Sequence, residues 1–225
     1  MSAISITGES TEMYLKSIAE LEMLTAPPVA ISHLAQRLGV SSPSVLEMVK
    51  RLAVQNLVTH TPYKGVSLTE RGRRRAMAVL RRHRLWERFL VDALHLPWET
   101  VHDYACQLEH ATAPAVTDAL AAFLGNPTAC PHGNPIPDAA GNVQPSVAVP
   151  LLELSVGQSA RLEHIIYEEA ILLEYLARRG LIPGARLMLE DIAPYQGPLM
   201  VRVDGFDHPA ALGREIAARV FVLPD

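Results

Sequence analysis

The sequence predicts a mainly α-helical protein with a small β domain at its C-terminal end. Apolar residues recur at helical spacing from about residue 10 to residue 124. Six prolines and several glycines in residues 125–150 are typical of a loop or linker. Short apolar segments of strand length follow, and 49% of all residues are apolar, so we expect a globular chain.

The N-terminal segment has the pattern of a helix-turn-helix. A helical stripe that begins near Ser10 ends at Pro27, because proline removes a backbone donor. A second, shorter helix is predicted at residues 29–38, with Gly39 at its end. Ser41 is a candidate N-cap for a third helix directly after this turn. Two short helices joined by a tight glycine-containing turn are typical of this motif.

A two-stranded ribbon is predicted directly after the third helix. Residues 57–60 and 66–68 are extended segments on either side of a proline- and glycine-containing turn, and Thr69 can cap the helix that follows. A ribbon in this place is a wing. Residues 10–72 therefore predict a winged helix-turn-helix, and we assign residues 1–74 to a DNA-binding domain.

The middle of the chain is predicted to be helical. A long helix spans residues 70–94 and carries eight arginines, which we expect to face solvent beyond the first turn. Two further helices are predicted from Pro97 to about residue 111 and from about residue 112 to residue 124. We assign residues 75–142 to a second, helical domain.

The last part of the chain, residues 150–225, predicts a small β-barrel-like domain. Glycines at turn spacing separate short apolar segments. The strands are expected at residues 159–166, 186–190, 199–203 and 218–223, with one helix at residues 167–179.

Charge is distributed unevenly along the sequence. Residues 1–90 contain 13 Lys/Arg and 7 Asp/Glu, whereas residues 91–225 contain 7 and 17. This asymmetry indicates either a polyanionic partner for the front half or uneven surface charge without a role.

The sequence also predicts where the protein resides. Residues 1–12 lack a basic segment followed by an apolar one, and no run approaches the roughly 18 apolar residues of a spanning helix. We expect a cytoplasmic protein without membrane contact. The two cysteines, Cys106 and Cys130, are too few for a disulfide framework and are expected to be free or metal-bound.

Metal-ligand side chains cluster on two of the predicted middle helices. His83 and Glu87 are four residues apart and share one helix face. His102, Cys106, Glu109 and His110 occupy positions i, i+4, i+7 and i+8, which again share a face. Imidazole, thiolate and carboxylate groups on neighbouring helices favour a metal site over a buried polar network.

These motifs resemble the diphtheria-toxin-repressor and manganese-transport-regulator family of metal-dependent repressors over nearly the whole chain. The resemblance depends on Thr11–Leu15, His83–Arg88, Val101–His110 and Gly133–Pro137. The His–Cys–Glu–His spacing is the specific part, because many regulators contain a helix-turn-helix.

The resemblance implies two metal sites in each subunit. It implies a primary site of Met13, Cys106, Glu109 and His110. It implies an ancillary site of His83, Glu87 and His102, completed by an acidic residue of the C-terminal domain, which we align to Glu169. Glu168 and Asp138 remain alternatives to Glu169, and Leu172 stands where iron-responsive members have glutamine. Cys130 and His132 match ligands of some manganese-responsive relatives, or form a loop without metal.

The chemical types of the candidate ligand atoms indicate which metal ions the sites would prefer. Thioether and thiolate donors at Met13 and Cys106 favour softer ions, and manganese-selective members of the family usually carry carboxylates there. We therefore expect Fe(II) or Mn(II), with Fe(II) favoured, whereas Co(II), Ni(II) and Zn(II) should substitute in vitro because they bind such donors at least as strongly.

The third helix is expected to enter the DNA major groove with its N-terminal end. Lysines and arginines nearby are expected to neutralise phosphates, and Arg37 is a further candidate. The expected DNA-contacting residues are Ser41, Ser42, Pro43, Ser44 and Glu47 toward the bases, with Lys50, Arg51, Tyr63 and Lys64 toward the backbone and at the wing tip.

Together, the sequence features and the family resemblance predict a metal-activated regulator that represses metal-homeostasis genes. We expect a homodimer on a palindromic double-stranded DNA operator, because helix-turn-helix readers match two-fold sites. The resemblance implies an SH3-like, FeoA-like barrel at the C-terminal end. Two alternatives stay open: a regulator whose metal is only structural, and a non-haem metalloenzyme using His83, Glu87 and His102.

Overall fold

A computed structural model describes residues 6–225, with side chains from residue 8 onward. The first five residues, which belong to the predicted DNA-binding domain and to the segment searched for a leader, lie outside the described residues. The chain forms two compact units. The first contains the chain up to His83 with Leu108–Val116 and Pro137–Asn142, and the second contains Arg84–Gln107, Thr117–Ile136 and Val143–Asp225.

The first unit begins with three helices and a hairpin. The helices are α1 (Ile6–Leu24), α2 (Ile31–Leu38) and α3 (Ser42–Val54). Strands β1 (Val58–Thr61) and β2 (Gly65–Leu68) follow and pair antiparallel. Apolar side chains of these elements are buried together and form the core of this unit: Leu15, Ile18, Leu34, Val49 and Leu52.

Local signals fix the ends of these helices as the sequence predicts. Gly39 adopts a left-handed conformation (φ 65°) and closes α2, which a residue without Cβ does at little cost. The Ser41 hydroxyl accepts the backbone N–H of Ser44 at the start of α3. The Thr69 hydroxyl accepts the backbone N–H of Gly72 and caps the next helix.

Three further helices make up the middle of the chain: α4 (Glu70–Asp92), α5 (Val101–Ala111) and α6 (Pro114–Phe123). The boundary between the two units falls within α4, between His83 and Arg84. Helix α5 begins four residues later than predicted, because Thr100 closes a turn onto the carbonyl of Pro97 instead of continuing a helix.

The expectation that the α4 arginines face solvent beyond the first turn is wrong for three of them. Arg81 donates to the carbonyl of Pro137 at 2.7 Å, and Arg82 Nε donates to the carbonyl of Glu109 at 2.7 Å. Arg84 is only 5% exposed and donates to the carbonyl of Pro135. Loop carbonyls and the last carbonyls of a helix lack helical partners, and guanidinium groups satisfy them here.

The second unit contains a six-stranded antiparallel sheet in the order β3-β8-β4-β5-β6-β7. Its core is built from inward-facing residues such as Leu162, Leu189 and Val201. The elements are β3 (Val149–Pro150), a 3-10 turn (Leu151–Glu153), β4 (Ser159–Ile165), α7 (Ala170–Ala177), β5 (Arg186–Ile192), β6 (Leu199–Val203), β7 (Ala210–Leu212), α8 (Arg214–Ala217) and β8 (Val220–Pro224).

Helix α7 begins at Ala170, three residues after its predicted start. Tyr167 has a φ of 60°, and a residue in this left-handed region cannot be part of an α-helix. The sequence pattern also missed β3, β7 and α8, which are too short to show a periodicity. Among the described residues, no helix is both long and apolar enough to cross a membrane.

Candidate metal centres

The second unit brings together a dense group of metal-ligand side chains, which we call the Cys130 cluster. One donor atom from each of Glu87, Cys130, His132 and Glu168 lies within 4.8 Å of the other three. His102 borders this group, with its Nδ1 2.8 Å from Glu168 Oε2 and 3.4 Å from Glu87 Oε1.

A tight loop between α6 and β3 presents Cys130 and His132. The backbone N–H of Cys130 donates to the carbonyl of Asn134, and the N–H of Gly133 donates to the carbonyl of Cys130. Gly133 has a φ of 85°, and a Cβ atom there would lie 1.9 Å from the backbone oxygen of Glu163. Only glycine fits this approach, so Gly133 fixes the loop against β4.

The ring of His132 is oriented as in a metal-ligating histidine. Its Nε2 lies 2.8 Å from the carbonyl oxygen of Trp98, which can only accept, so Nε2 carries the proton. Nδ1 then faces Glu87 Oε1 at 3.5 Å, Glu168 Oε1 at 3.6 Å and Cys130 Sγ at 3.8 Å. Metal-bound histidines usually donate their second N–H to a carbonyl or carboxylate in this way.

Glu168, and not its neighbour Glu169, faces the cluster. Its Oε1 accepts the side-chain amide of Asn134 at 2.7 Å, and its Oε2 lies beside His102. The side chain of Glu169 is 68% exposed and lies 3.8 Å from Arg219. The left-handed backbone conformation of Tyr167 determines which of the two glutamates faces the cluster.

The electrostatics of the Cys130 cluster favour cations. Burial lowers the pKa of His102, but hydrogen bonds to Cys106, Glu168 and Glu87 raise it overall to about 11. Burial likewise opposes charge on His132, yet the negative charges of Glu87 and Glu168 hold its pKa well above 6.5. Burial raises the pKa of the Cys130 thiol.

The residues of the Cys130 cluster fit a divalent transition metal. Donor atoms that share an ion at about 2.1 Å lie roughly 3 to 3.5 Å apart, and the separations around His132 Nδ1 are close to this range. Two carboxylates, an imidazole and a thiol suit Fe, Mn, Co or Zn better than Mg or Ca. The raised pKa values of His102 and His132 mean that both rings are protonated at neutral pH when no ion is bound.

The first unit contains a second polar group, which we call the Lys16 cluster. Lys16 Nζ lies 2.7 Å and 2.8 Å from the two carboxylate oxygens of Glu109, which is fully buried. His83 Nδ1 lies 2.5 Å from Glu109 Oε2, and His110 Nε2 lies 3.2 Å from Glu109 Oε1. Glu109 therefore links α1, α4 and its own helix α5.

Glu12 completes the Lys16 cluster. Its Oε2 lies 2.9 Å from His110 Nδ1 and 3.1 Å from an Arg82 guanidinium nitrogen. Burial opposes charge on both carboxylates of the cluster, but the pKa of Glu109 is lowered by His83 and Lys16. The pKa of Glu12 is lowered by His110 and Arg82. Both carboxylates are therefore ionised at neutral pH.

The remaining predicted ligands have different surroundings. Met13 is 44% exposed on α1, in the first unit. Cys106 belongs to the second unit, where its Sγ lies 3.6 Å from His102 Nε2. His83 belongs to the first unit, and its Nδ1 is engaged by Glu109. Asp138 is an exposed loop residue that accepts the backbone N–H groups of Ala140 and Asn142.

The residues expected at DNA lie on the surface of the first unit. Tyr63 is fully exposed at the hairpin tip with a φ of 62°, and Lys64 follows it. Glu47 and Arg51 form an ion pair on the surface of α3. Arg37 is half-buried and bonds to Glu20. The other candidates, Ser41, Ser42, Pro43, Ser44 and Lys50, are exposed on α3 or at its start.

Sequence reasoning missed several residues that shape the two clusters. The backbone carbonyl of Trp98 and the Asn134 amide orient His132 and Glu168, and neither has a ligand-type side chain. Lys16 was missed because its partner Glu109 lies on α5, and the sequence does not show that α5 packs against α1. Glu12 lies within Thr11–Leu15, one of the motifs that carry the family resemblance. Its position there was the only indication in the sequence that it could belong to a site.

Family models match three successive parts of the chain. The iron dependent repressor, N-terminal DNA binding domain, matches residues 7–66. The iron dependent repressor, metal binding and dimerisation domain, matches residues 69–138. The FeoA domain matches residues 149–224.

Characterised relatives agree with these matches. The iron-dependent repressor IdeR of Mycobacterium tuberculosis is 37% identical over 197 residues, which cover 81% of this chain and 84% of the relative. The diphtheria toxin repressor of Corynebacterium efficiens is 33% identical over 207 residues and 88% of each chain. A solved manganese-dependent transcriptional repressor in complex with manganese is 35% identical, with a TM-score of 0.89, over 96% of this chain and 100% of that one.

The comparisons confirm the resemblance predicted from the sequence. They also confirm that the chain is not an enzyme, because the family consists of transcriptional repressors. The chain belongs to the diphtheria-toxin-repressor and manganese-transport-regulator family of metal-dependent transcriptional repressors.

Proposed function

We propose that this repressor binds a palindromic operator as a homodimer when Fe(II) or Mn(II) is bound, and represses metal-homeostasis genes. The observation that carries the metal dependence is His132, whose Nε2 is held by a carbonyl while Nδ1 faces two carboxylates and a thiol. Such an arrangement leaves one ring nitrogen available as a ligand.

The chain divides, in this proposal, into a DNA-binding domain at residues 1–74, a dimerisation and metal-binding domain at 75–142 and an SH3-like barrel at 150–225. The ranges matched by the three family models support this division. The β1–β2 hairpin serves as the wing, and the exposed start of α3 reads bases in the major groove.

We propose Glu87, Cys130, His132 and Glu168 as one ligand set, with His102 beside it. Their mutual separation of no more than 4.8 Å supports this choice. Glu168 takes the role that alignment gave to Glu169, because its carboxylate lies at the cluster and that of Glu169 is exposed. Leu172, where iron-responsive members have glutamine, is buried within the apolar core and supplies no donor.

A second ligand set centres on Glu109 and His110. Glu12 bonds His110 Nδ1 and leaves Nε2 facing Glu109 Oε1, which is the orientation a metal ligand needs. The family resemblance also implies Met13 and Cys106 as ligands, and both remain candidates. An ion held jointly by residues of α1 and α5 supplies a cross-link between the helix that precedes the reader and the dimerisation region.

The donors leave the choice between Fe(II) and Mn(II) open. Thiol and imidazole groups favour Fe(II), whereas the two carboxylates of the Cys130 cluster suit Mn(II) equally well. Co(II), Ni(II) and Zn(II) bind such mixed sets strongly, so we expect each of them to activate the purified protein.

The decisive experiment is anaerobic DNA binding, measured by fluorescence anisotropy, across a series of divalent metals at matched free concentrations. We expect binding with metal and its loss after a chelator is added. Equal operator affinity with and without chelator would instead establish the alternative, a regulator whose metal is only structural.

A further inference from the structure

The strongest unexplained feature of the molecule is a buried lysine at a proposed metal ligand. Lys16 is only 6% exposed, and its ammonium group bonds both carboxylate oxygens of Glu109. It also lies 3.4 Å from His83 Nδ1. A lysine ammonium is rarely buried unless it is paired, because removing it from water is costly.

The pairing leaves Glu109 fully engaged before any metal arrives. Lys16 contacts Oε1 and Oε2, His83 contacts Oε2, and His110 lies 3.2 Å from Oε1. A divalent ion at this carboxylate would lie within a few ångströms of the ammonium group, and two like charges at that distance repel strongly in a buried site.

We propose that Lys16 is an internal counter-ion that competes with the metal for Glu109 and so sets the metal concentration at which this site fills. The inference rests on the proposed function, since it takes Glu109 as a ligand. Lys16 is a tethered cation that holds the carboxylate ionised and in place, and it must give way when the metal binds.

Thermodynamic linkage gives the direction of the effect. The Lys16–Glu109 ion pair stabilises the metal-free protein, and the metal-bound protein loses it. Any substitution that removes the pair from the metal-free state alone must therefore raise metal affinity by the same factor. Lys16 also joins α1 to α5 in the metal-free chain, so its release frees α1 to respond to the metal.

The test compares three variants by metal-binding calorimetry under anaerobic conditions with Mn(II). Lys16→Gln keeps a donor for Glu109 but removes the charge, and Lys16→Arg keeps the charge. Arg73→Gln is the matched control, because it breaks another ion pair to α1, at the buried carboxylate of Glu22, without touching Glu109. Each variant is also made in a His132→Ala background, where the Glu109 site remains alone.

We expect Lys16→Gln to bind Mn(II) about tenfold more tightly at the Glu109 site, since a repelling charge is gone. Lys16→Arg should bind at least as weakly as the natural protein. Arg73→Gln should stay within about twofold of the natural protein, because distant sites contribute independently. Unchanged or weaker binding by Lys16→Gln overturns the proposal.

A Glu109→Gln variant separates this proposal from the function on which it rests. If Glu109→Gln leaves the number of bound ions unchanged, Glu109 is not a ligand and the proposed ligand set fails together with the inference. If Glu109→Gln removes one ion while Lys16→Gln leaves affinity unchanged, only the inference fails.

A measurement on the natural protein avoids any folding defect of the variants. The sequence contains three lysines, Lys16, Lys50 and Lys64, of which the last two are exposed. Reductive methylation read by mass spectrometry should modify Lys50 and Lys64 equally with and without Mn(II). Lys16 should be protected without metal and become several-fold more reactive with it. Equal protection of Lys16 in both states contradicts the proposal.

Discussion

The two clusters hold buried carboxylates with cations of different kinds. In the Lys16 cluster, Glu109 and Glu12 contact the fixed charges of Lys16 and Arg82 in addition to the rings of His83 and His110. In the Cys130 cluster, Glu87 and Glu168 face histidine rings. A histidine can release its proton and then serve as a ligand, whereas an ammonium or guanidinium group must move away.

If both clusters bind a metal as we propose, this difference indicates how each would accept the ion. The Cys130 cluster would exchange protons for the ion and keep its side chains in place. The Lys16 cluster would have to rearrange, because one of its cations is attached to α1. We therefore expect the Cys130 cluster to set basal metal affinity, and the Lys16 cluster to convert metal binding into movement of α1.

The largest expected effect is at His132. His132→Ala removes a fully buried side chain of the proposed ligand set and should lower metal affinity at the Cys130 cluster at least about 100-fold. Anaerobic calorimetry with Co(II) gives the affinity, and the visible spectrum of bound Co(II) reports the thiolate. The control is His208→Ala, at an exposed histidine of the same unit, which should change neither. Normal Co(II) affinity in His132→Ala would exclude this cluster as a metal site.

The next effect concerns stability of the metal-free protein. Glu109→Gln leaves the buried ammonium of Lys16 without its counter-charge and should lower the free energy of unfolding by about 3 kcal/mol. Glu20→Gln disrupts the half-buried pair with Arg37 and should cost less than about 1 kcal/mol. Urea unfolding in chelator measures both. Equal losses would mean that the Lys16 pair contributes no more than an ordinary partly exposed pair.

A smaller effect is expected at Gly133. An alanine there must adopt a positive φ and clash with the Glu163 carbonyl, which should lower the free energy of unfolding by about 2 kcal/mol. The loop that carries Cys130 and His132 would shift, so metal affinity of this cluster should fall as well. Gly157→Ala is the control, because its φ is also positive but its Cβ would meet open space. Equal losses of stability and of metal affinity in both variants would show that backbone strain, and not the clash with Glu163, causes the effect.

Metal affinity at the Cys130 cluster should also depend on pH. The carboxylates around His132 raise the pKa of its ring, and burial raises the pKa of the Cys130 thiol, so both groups hold protons at neutral pH without metal. Affinity at this cluster should therefore fall about tenfold for each proton displaced as the pH drops by one unit. Calorimetry in buffers of different ionisation enthalpy counts the protons released when the metal binds. Release of no protons would contradict the proposal that the metal displaces protons from His132 and Cys130.

Stability of the metal-free protein should have the opposite pH dependence at His102. Its pKa is raised to about 11 in the folded state, from about 6.5 in an unfolded chain. The contribution of this histidine is therefore complete below about pH 6.5 and is lost as the pH rises toward 11.

The sequence predicted most helices and strands and the ends of α2 and α3, because these depend on local signals such as Gly39 and Ser41. The spacing of His102 and Cys106 likewise predicted two donors on one face of α5, which lie 3.6 Å apart. The choice between Glu168 and Glu169 could not be predicted, because it depends on the backbone conformation of Tyr167.

Long-range partners account for the rest of what the sequence could not show. Lys16 and Glu109 are 93 residues apart, and nothing near Lys16 indicates that a carboxylate will neutralise it. The arginines of α4 were assigned to solvent for the same reason, because their backbone carbonyl partners come from distant loops and helix ends.

The position of Glu168 has a consequence for shortened forms of the chain. Glu168 follows β4, whereas Glu87, Cys130 and His132 all precede residue 143. A chain shortened so that it ends before β3 would keep three of these donors and lack the fourth. Three protein ligands leave a coordination position to water, as in catalytic zinc sites. In the site that we propose, such shortening would replace a protein ligand with exchangeable water and would expose a bound Fe(II) ion to oxidants.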